Sequence, residues 1–177
     1  MSLLRSAIVA TSLAAVALAG CGRATPPPPE ARAAATVPAT LFASAAPAGA
    51  VPLLAAKEGA RAGDRIVFEA RVGGRRTPFV ESRAVFFVAD PSLASCDRLP
   101  GDTCKYPWDY CCEPPHNLRK HIATVQVVDG AGQPLETSLE NHHGLAPLKT
   151  IYVSGTVQSG EPGNFVVEAD TIYVEGG

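Results

Sequence analysis

No Cys-x-x-Cys pair, His-Glu-x-x-His motif, nucleophile elbow or phosphate-binding loop occurs in the 177 residues. Their absence removes the usual sequence marks of thiol exchange, zinc hydrolysis, serine acyl transfer and nucleotide use. Ser154 precedes Gly155, but it lies mid-strand with no Asp or His fixed beside it by spacing, so no catalysis is expected. A basic excess is lacking too. The formal net charge is -2, and from Gly63 onward 10 basic residues face 15 acidic ones, a balance of -5. Nucleic acid is therefore not an expected partner. The longest apolar run, Ala7 to Ala19, is shorter than the roughly 20 residues a membrane-spanning helix needs.

That run follows Arg5 and ends in small residues, the layout of an export signal over residues 1–20. It closes on Leu18-Ala19-Gly20-Cys21, which resembles the bacterial lipobox. The resemblance implies cleavage before Cys21, lipidation of that cysteine and an extracytoplasmic protein anchored to a bacterial membrane by its N-terminal lipid. Residues 21–62 then read as the lipidated cysteine and a Pro/Ala-rich tether, with Pro26 to Pro29 favouring a semi-rigid extended spacer. Within it, Ala50 to Lys57 is the one patch able to dock as a short helix or strand.

Residues 63–177 carry a period near two. Ile66, Phe68, Ala70 and Val72 alternate with polar neighbours, and Gly73-Gly74 supplies a bend. Ala84 to Ala89 is a more apolar strand, expected to be buried on both sides, and Ile122 to Val128 is a third. Ile151 to Val157 and Phe165 to Val174 form a hairpin pair around a turn-rich loop. Facing parity changes between Ala169 and Ile172, which calls for a bulge near Asp170-Thr171. Gln133 to Thr150 has no strand pattern; a short helical or coiled connection is expected around Leu135 to Leu139. The segments Gly63 to Gly74, Ile151 to Val157 and Phe165 to Val174 resemble the OB-fold. The fold class expected is all-β, a small five-stranded OB-like Greek-key barrel, with a β-sandwich as the alternative.

Between the second and third strands lies an insertion, Asp90 to His121, with Cys96, Cys104, Cys111, Cys112 and the only tryptophan, Trp108. Its prolines argue against regular helix, and its Pro107 to Cys112 string resembles exported bacterial lipoproteins, a likeness that implies no activity. Export favours disulfides. Adjacent cysteines bridge each other poorly, so Cys111 and Cys112 are each expected to reach back to Cys96 or Cys104; both pairings stay open. Each bond would close a loop of about 8 to 17 residues, worth roughly 3 kcal/mol, around Trp108 and Tyr110. No cofactor is required by this stapled reading.

The alternative is a copper or zinc site, in metal binding or delivery, using the four cysteines with His116 or His121. Asp97, Asp102, Asp109 and Glu113 do not follow a calcium loop and are expected as solvated turns. His142-His143 is expected as an exposed loop pair. Arg71, Arg75, Arg76 and Arg83, with Trp108 and Tyr110, are the candidate ligand face for a protein or small-ligand partner. The function expected is that of a membrane-anchored binding module.

Overall fold

The computed structural model describes residues 36–161 and 163–177. The expected export signal, residues 1–20, and Cys21, the expected lipidation site, lie outside the described residues. Among the described residues six strands make one sheet: β1 (Val51–Pro52), β2 (Arg65–Val72), β3 (Val85–Ala89), β4 (Ile122–Gln126), β5 (Thr150–Glu161) and β6 (Asn164–Val174). Among the described residues two short α-helices accompany them, α1 (Leu53–Lys57) and α2 (Pro115–His121).

The sheet order is β1-β2-β3-β4-β6-β5, and β5 also pairs with β2, so the five longer strands close on themselves. Closure leaves a barrel-like ring rather than the two facing sheets of a sandwich. The fold is all-β, as the two-residue period predicts. β2 and β5 run antiparallel from Arg65↔Thr156 to Arg71↔Thr150, whereas β4 and β6 are parallel, with Val125 opposite Val167. On its other side β2 meets β3 at Arg71 and Val72, and β1 at Phe68 and Glu69.

Alternation places the core. Phe68, Ala70 and Val72 from β2 meet Phe86 and Val88 from β3, Ala123 and Val125 from β4, and Val153 and Val167 from β5 and β6, all buried. β3 is less enclosed than its composition indicates: Val85 and Phe87 are only half-buried, because their face lies outside the ring. The parity change in β6 is met by a bulge. Ser154 pairs with Thr171 and Gly155 with Ala169, which leaves Asp170 as the extra residue. Its carboxylate turns outward to Arg65, 2.9 Å away.

Two features differ from expectation. The Ala50–Lys57 patch docks as expected, as both strand and helix, and buries Leu53, but Leu41, ahead of it, is buried in the core as well. Backbone bonds from Ile172 N–H to Leu41 O (2.7 Å) and from Ala43 N–H to Ile172 O (2.9 Å) fix that earlier segment. Packing therefore begins well before Gly63, where alanine-rich composition conceals isolated large residues. The second difference is α2, a helix inside the insertion. Pro115 sits in its first turn, where a missing N–H removes no helical bond, and Arg119, Lys120 and His121 occupy the favourable C-terminal end. Leu135 and Leu139 are buried in an irregular connection, not a helix.

Candidate functional site

The insertion is held to the ring at several points. Asp90 N–H donates to His121 O (2.8 Å), joining its two ends across β3 and β4. Tyr110 is fully buried with Ala89, Leu93 and Ile122 in a small second core, and its hydroxyl has no hydrogen-bond partner among the described residues. Gly73 and Gly74 let the insertion approach: a Cβ on Gly73 would lie 2.6 Å from Trp108 O, and Gly74 N–H donates to that same oxygen at 2.8 Å. Trp108 Nε1 in turn donates to Arg76 O at 3.0 Å.

After the 3-10 turn Pro107–Asp109, Tyr110 adopts a left-handed conformation (φ 56°, ψ 38°) that redirects the chain into Cys111 and Cys112. The turn brings the thiols together. Cys111 Sγ lies 3.4 Å from Cys104 Sγ and 3.7 Å from Cys96 Sγ, and Cys104 Sγ is 4.0 Å from Asp109 Oδ1. The ligand atoms of Cys96, Cys104, Asp109 and Cys111 all fall within 4.8 Å of one another. Cys96, Asp102 and Cys112 form a second, overlapping group. Cys112 Sγ–H donates to Asp102 Oδ2 (3.2 Å), while Asp102 Oδ1 accepts from Cys104 N–H (2.6 Å) and Asp109 Oδ1 from Cys111 N–H (2.9 Å).

The two expected disulfides are not formed. All four cysteines are free thiols, and no sulfur pair among the described residues reaches the roughly 2.05 Å of a bond. Contact with Cys104, then with Cys96, pushes the Cys111 thiol up, and the Asp102 carboxylate pushes Cys112 up to about 11. A thiol facing a carboxylate or another sulfur keeps its proton because the thiolate would meet like charge and lone pairs.

The histidines of the copper or zinc reading are elsewhere. α2 carries His121 inward, where Nδ1 shares a hydrogen bond with Asn117 O at 2.8 Å. His116 borders a cleft of about 390 Å³ with Leu54, Lys57, Arg119, Lys120 and Phe165. Neither belongs to the thiol groups. In that cleft Lys57 Nζ donates to Lys120 O and Ile122 O, both 2.7 Å, and burial lowers its pKa to about 8. His142 and His143 stack on Phe42, His143 at 4.4 Å. Of the acidic residues, Asp102 and Asp109 join the thiols, whereas Glu113 accepts from Asn117 Nδ2 at 2.7 Å.

The candidate ligand face is divided. Arg71 is buried, donating to Ser95 Oγ (2.8 Å) and Leu148 O (3.3 Å), and Tyr110 belongs to the core. Arg83 pairs with Glu136 (3.9 Å) and Pro134 O (3.4 Å). Arg76 and Trp108 do converge, joined by Lys105 and Tyr106, which were not singled out in the sequence. Arg76 stands over the Tyr106 ring at 4.4 Å and Lys105 at 5.3 Å. Trp108 meets Tyr106 edge-on at 5.8 Å, and Arg75 covers Phe87 at 5.3 Å. The Arg76 and Lys105 cations lower the Tyr106 pKa. The cation–aromatic alternation Lys105-Tyr106-Pro107-Trp108 was the available signal. No protein-family model matches this chain, and no curated protein matches it.

Proposed function

We propose that this protein is a lipid-anchored extracytoplasmic binding module whose face of Arg76, Lys105, Tyr106 and Trp108 takes an anionic polysaccharide. The observation that carries the reading is the pair of cations on one accessible ring, Arg76 and Lys105 over Tyr106, with Trp108 at its edge. Guanidinium groups suit carboxylates and sulfates, and aromatic faces suit the C–H surface of a sugar ring. The face sits where the first long loop of the ring meets the insertion, and function on such a ring comes from its loops. The acidic total charge, -5 from Gly63 onward, confines attraction for a polyanion to this local patch.

Polygalacturonate, with neutral dextran as its control, tests the face. Binding is expected to weaken with salt, and the R76A/K105A double substitution is expected to lower affinity about 10-fold or more. Equal binding of dextran, or of the double variant, would overturn the assignment. The address has its own test. Cys21→Ser is expected to move the protein from membranes to the soluble fraction after cell breakage, since one substitution removes every lipid chain. Retention on the membrane would refute the lipobox reading.

A further inference from the structure

We propose that Cys96, Cys104, Cys111 and Asp109 form a zinc site, with three thiolates and one carboxylate as ligands, which closes the insertion as a metal cross-link. A tetrahedral zinc with Zn–S bonds of about 2.3 Å separates its sulfurs by about 3.8 Å. The sulfur separations of 3.4 and 3.7 Å lie near that edge length and far from a disulfide bond. Cys111 touches both other sulfurs. A disulfide can satisfy only one of those contacts, whereas a metal ion takes all three sulfurs together.

The frame around the cluster is built. Cys96 is buried and follows Ser95, which Arg71 holds to the ring at 2.8 Å. Cys111 follows the buried, left-handed Tyr110, so its direction is set by the second core. Cys104 is fixed through its N–H on Asp102, and Asp109 through the N–H of Cys111. The ligands thus come from three separate turns rather than from paired knuckles, which is why their spacing in sequence matches no familiar zinc module.

The donor set selects the ion. Three sulfurs exclude calcium and magnesium, which take oxygen ligands. Copper(I) is served by sulfur alone, whereas a fourth, carboxylate ligand completes the four-coordinate preference of zinc. Four protein ligands leave no open position, so the site is structural and not hydrolytic. Binding displaces the three thiol protons to solvent as the three Zn–S bonds form. Cys112 stays outside, its thiol donated to Asp102.

The test uses the full lipid-anchored chain, isolated without chelator or reductant. Equimolar zinc is expected, with Cys112 alone alkylated in the native protein. After exchange for cobalt(II), C104S should lower the thiolate-to-cobalt charge-transfer intensity by about a third, because one of three sulfurs is lost. C112S should leave metal content and intensity unchanged. Where C104S fails to fold, D109A serves instead, with strand content intact and zinc affinity about 10- to 100-fold weaker. Two disulfides without metal, free thiols that take up no zinc, or equal loss of zinc in C112S would overturn the site. Copper(I) bound in preference to zinc, with D109A indifferent, would overturn the choice of ion. R76A/K105A alters none of these ligands, so failure here and failure of the polysaccharide reading are separable.

Discussion

Gly155→Ala is expected to destabilise the protein by about 3 kcal/mol, lowering its unfolding midpoint by about 10 °C. A Cβ at this position would lie 2.2 Å from Glu168 O, 2.9 Å from Val167 Cγ1 and 3.0 Å from Glu168 C. Two of those three atoms are backbone, and the third belongs to a buried side chain. β6 has no room to retreat: it is bonded to β5 on one side, and on the other Val125 and Gln126 of β4 hold Val167 and Glu168 in register. Gly130→Ala is the control, since nothing lies within 4 Å of its added carbon. Thermal and urea unfolding of both variants measure the difference. Equal midpoints would mean that β5 and β6 do not approach as described at the bulge.

The same bulge shows why the ring was legible in the sequence. A strand with one face in the core repeats every two residues, so an odd step between Ala169 and Ile172 has few physical remedies, and the extra residue, Asp170, lies where the parity fails. Core strands announce themselves because every second side chain is constrained. Leu41 was not legible in that way: it is a single buried residue in an alanine-rich stretch, with no period to expose it, and Leu53 was reached only as part of the Ala50–Lys57 patch. The rim of the ring was misjudged in the opposite direction, since the apolar run Val85 to Ala89 hides a half-buried outer face that Arg75 covers.

The candidate site was legible in composition but not in geometry. Four cysteines in one insertion predict a cluster; they do not say which sulfurs meet. Cys111 and Cys112 are adjacent, and their different fates depend on the left-handed turn at Tyr110, a property of one residue's backbone held by burial. The histidines were drawn away by α2, whose prolines stand just before and within its first turn and so permit the helix they seemed to forbid. Arg71 has the composition of a ligand-binding cation and the position of a strut. Its strand parity is outward, but the insertion folds over that face and buries it.

Asp90→Ala is expected to destabilise the protein by about 2–3 kcal/mol and to loosen the insertion at its base. One carboxylate serves two segments. Oδ2 accepts from Leu54 N–H at the start of α1 (2.6 Å), and Oδ1 accepts from Ser92 N–H (2.9 Å) and from the Ser92 hydroxyl. Alanine would leave the Leu54 and Ser92 amides without that acceptor in a partly buried place, where an unmet donor is costly. Burial by itself would raise the Asp90 pKa, but the bonds from Ser92 and Leu54 and the nearby His121 outweigh it and hold the carboxyl below its ordinary value. The sign of the pH effect follows. Between the folded pKa and the unfolded value near 4, the unfolded chain binds more protons, so stability falls as the pH falls. The contribution is complete above about pH 5 and is lost as the pH drops through the folded pKa. Lys57 faces this carboxylate, and with its pKa lowered by burial only to about 8 it keeps its proton throughout that acid window. Melting temperatures from about pH 2 to 7 should therefore show a steeper acid loss in the wild type than in Asp90→Asn, which has no carboxyl to protonate. Parallel acid slopes would count against Asp90 as the charged tie between α1 and the insertion.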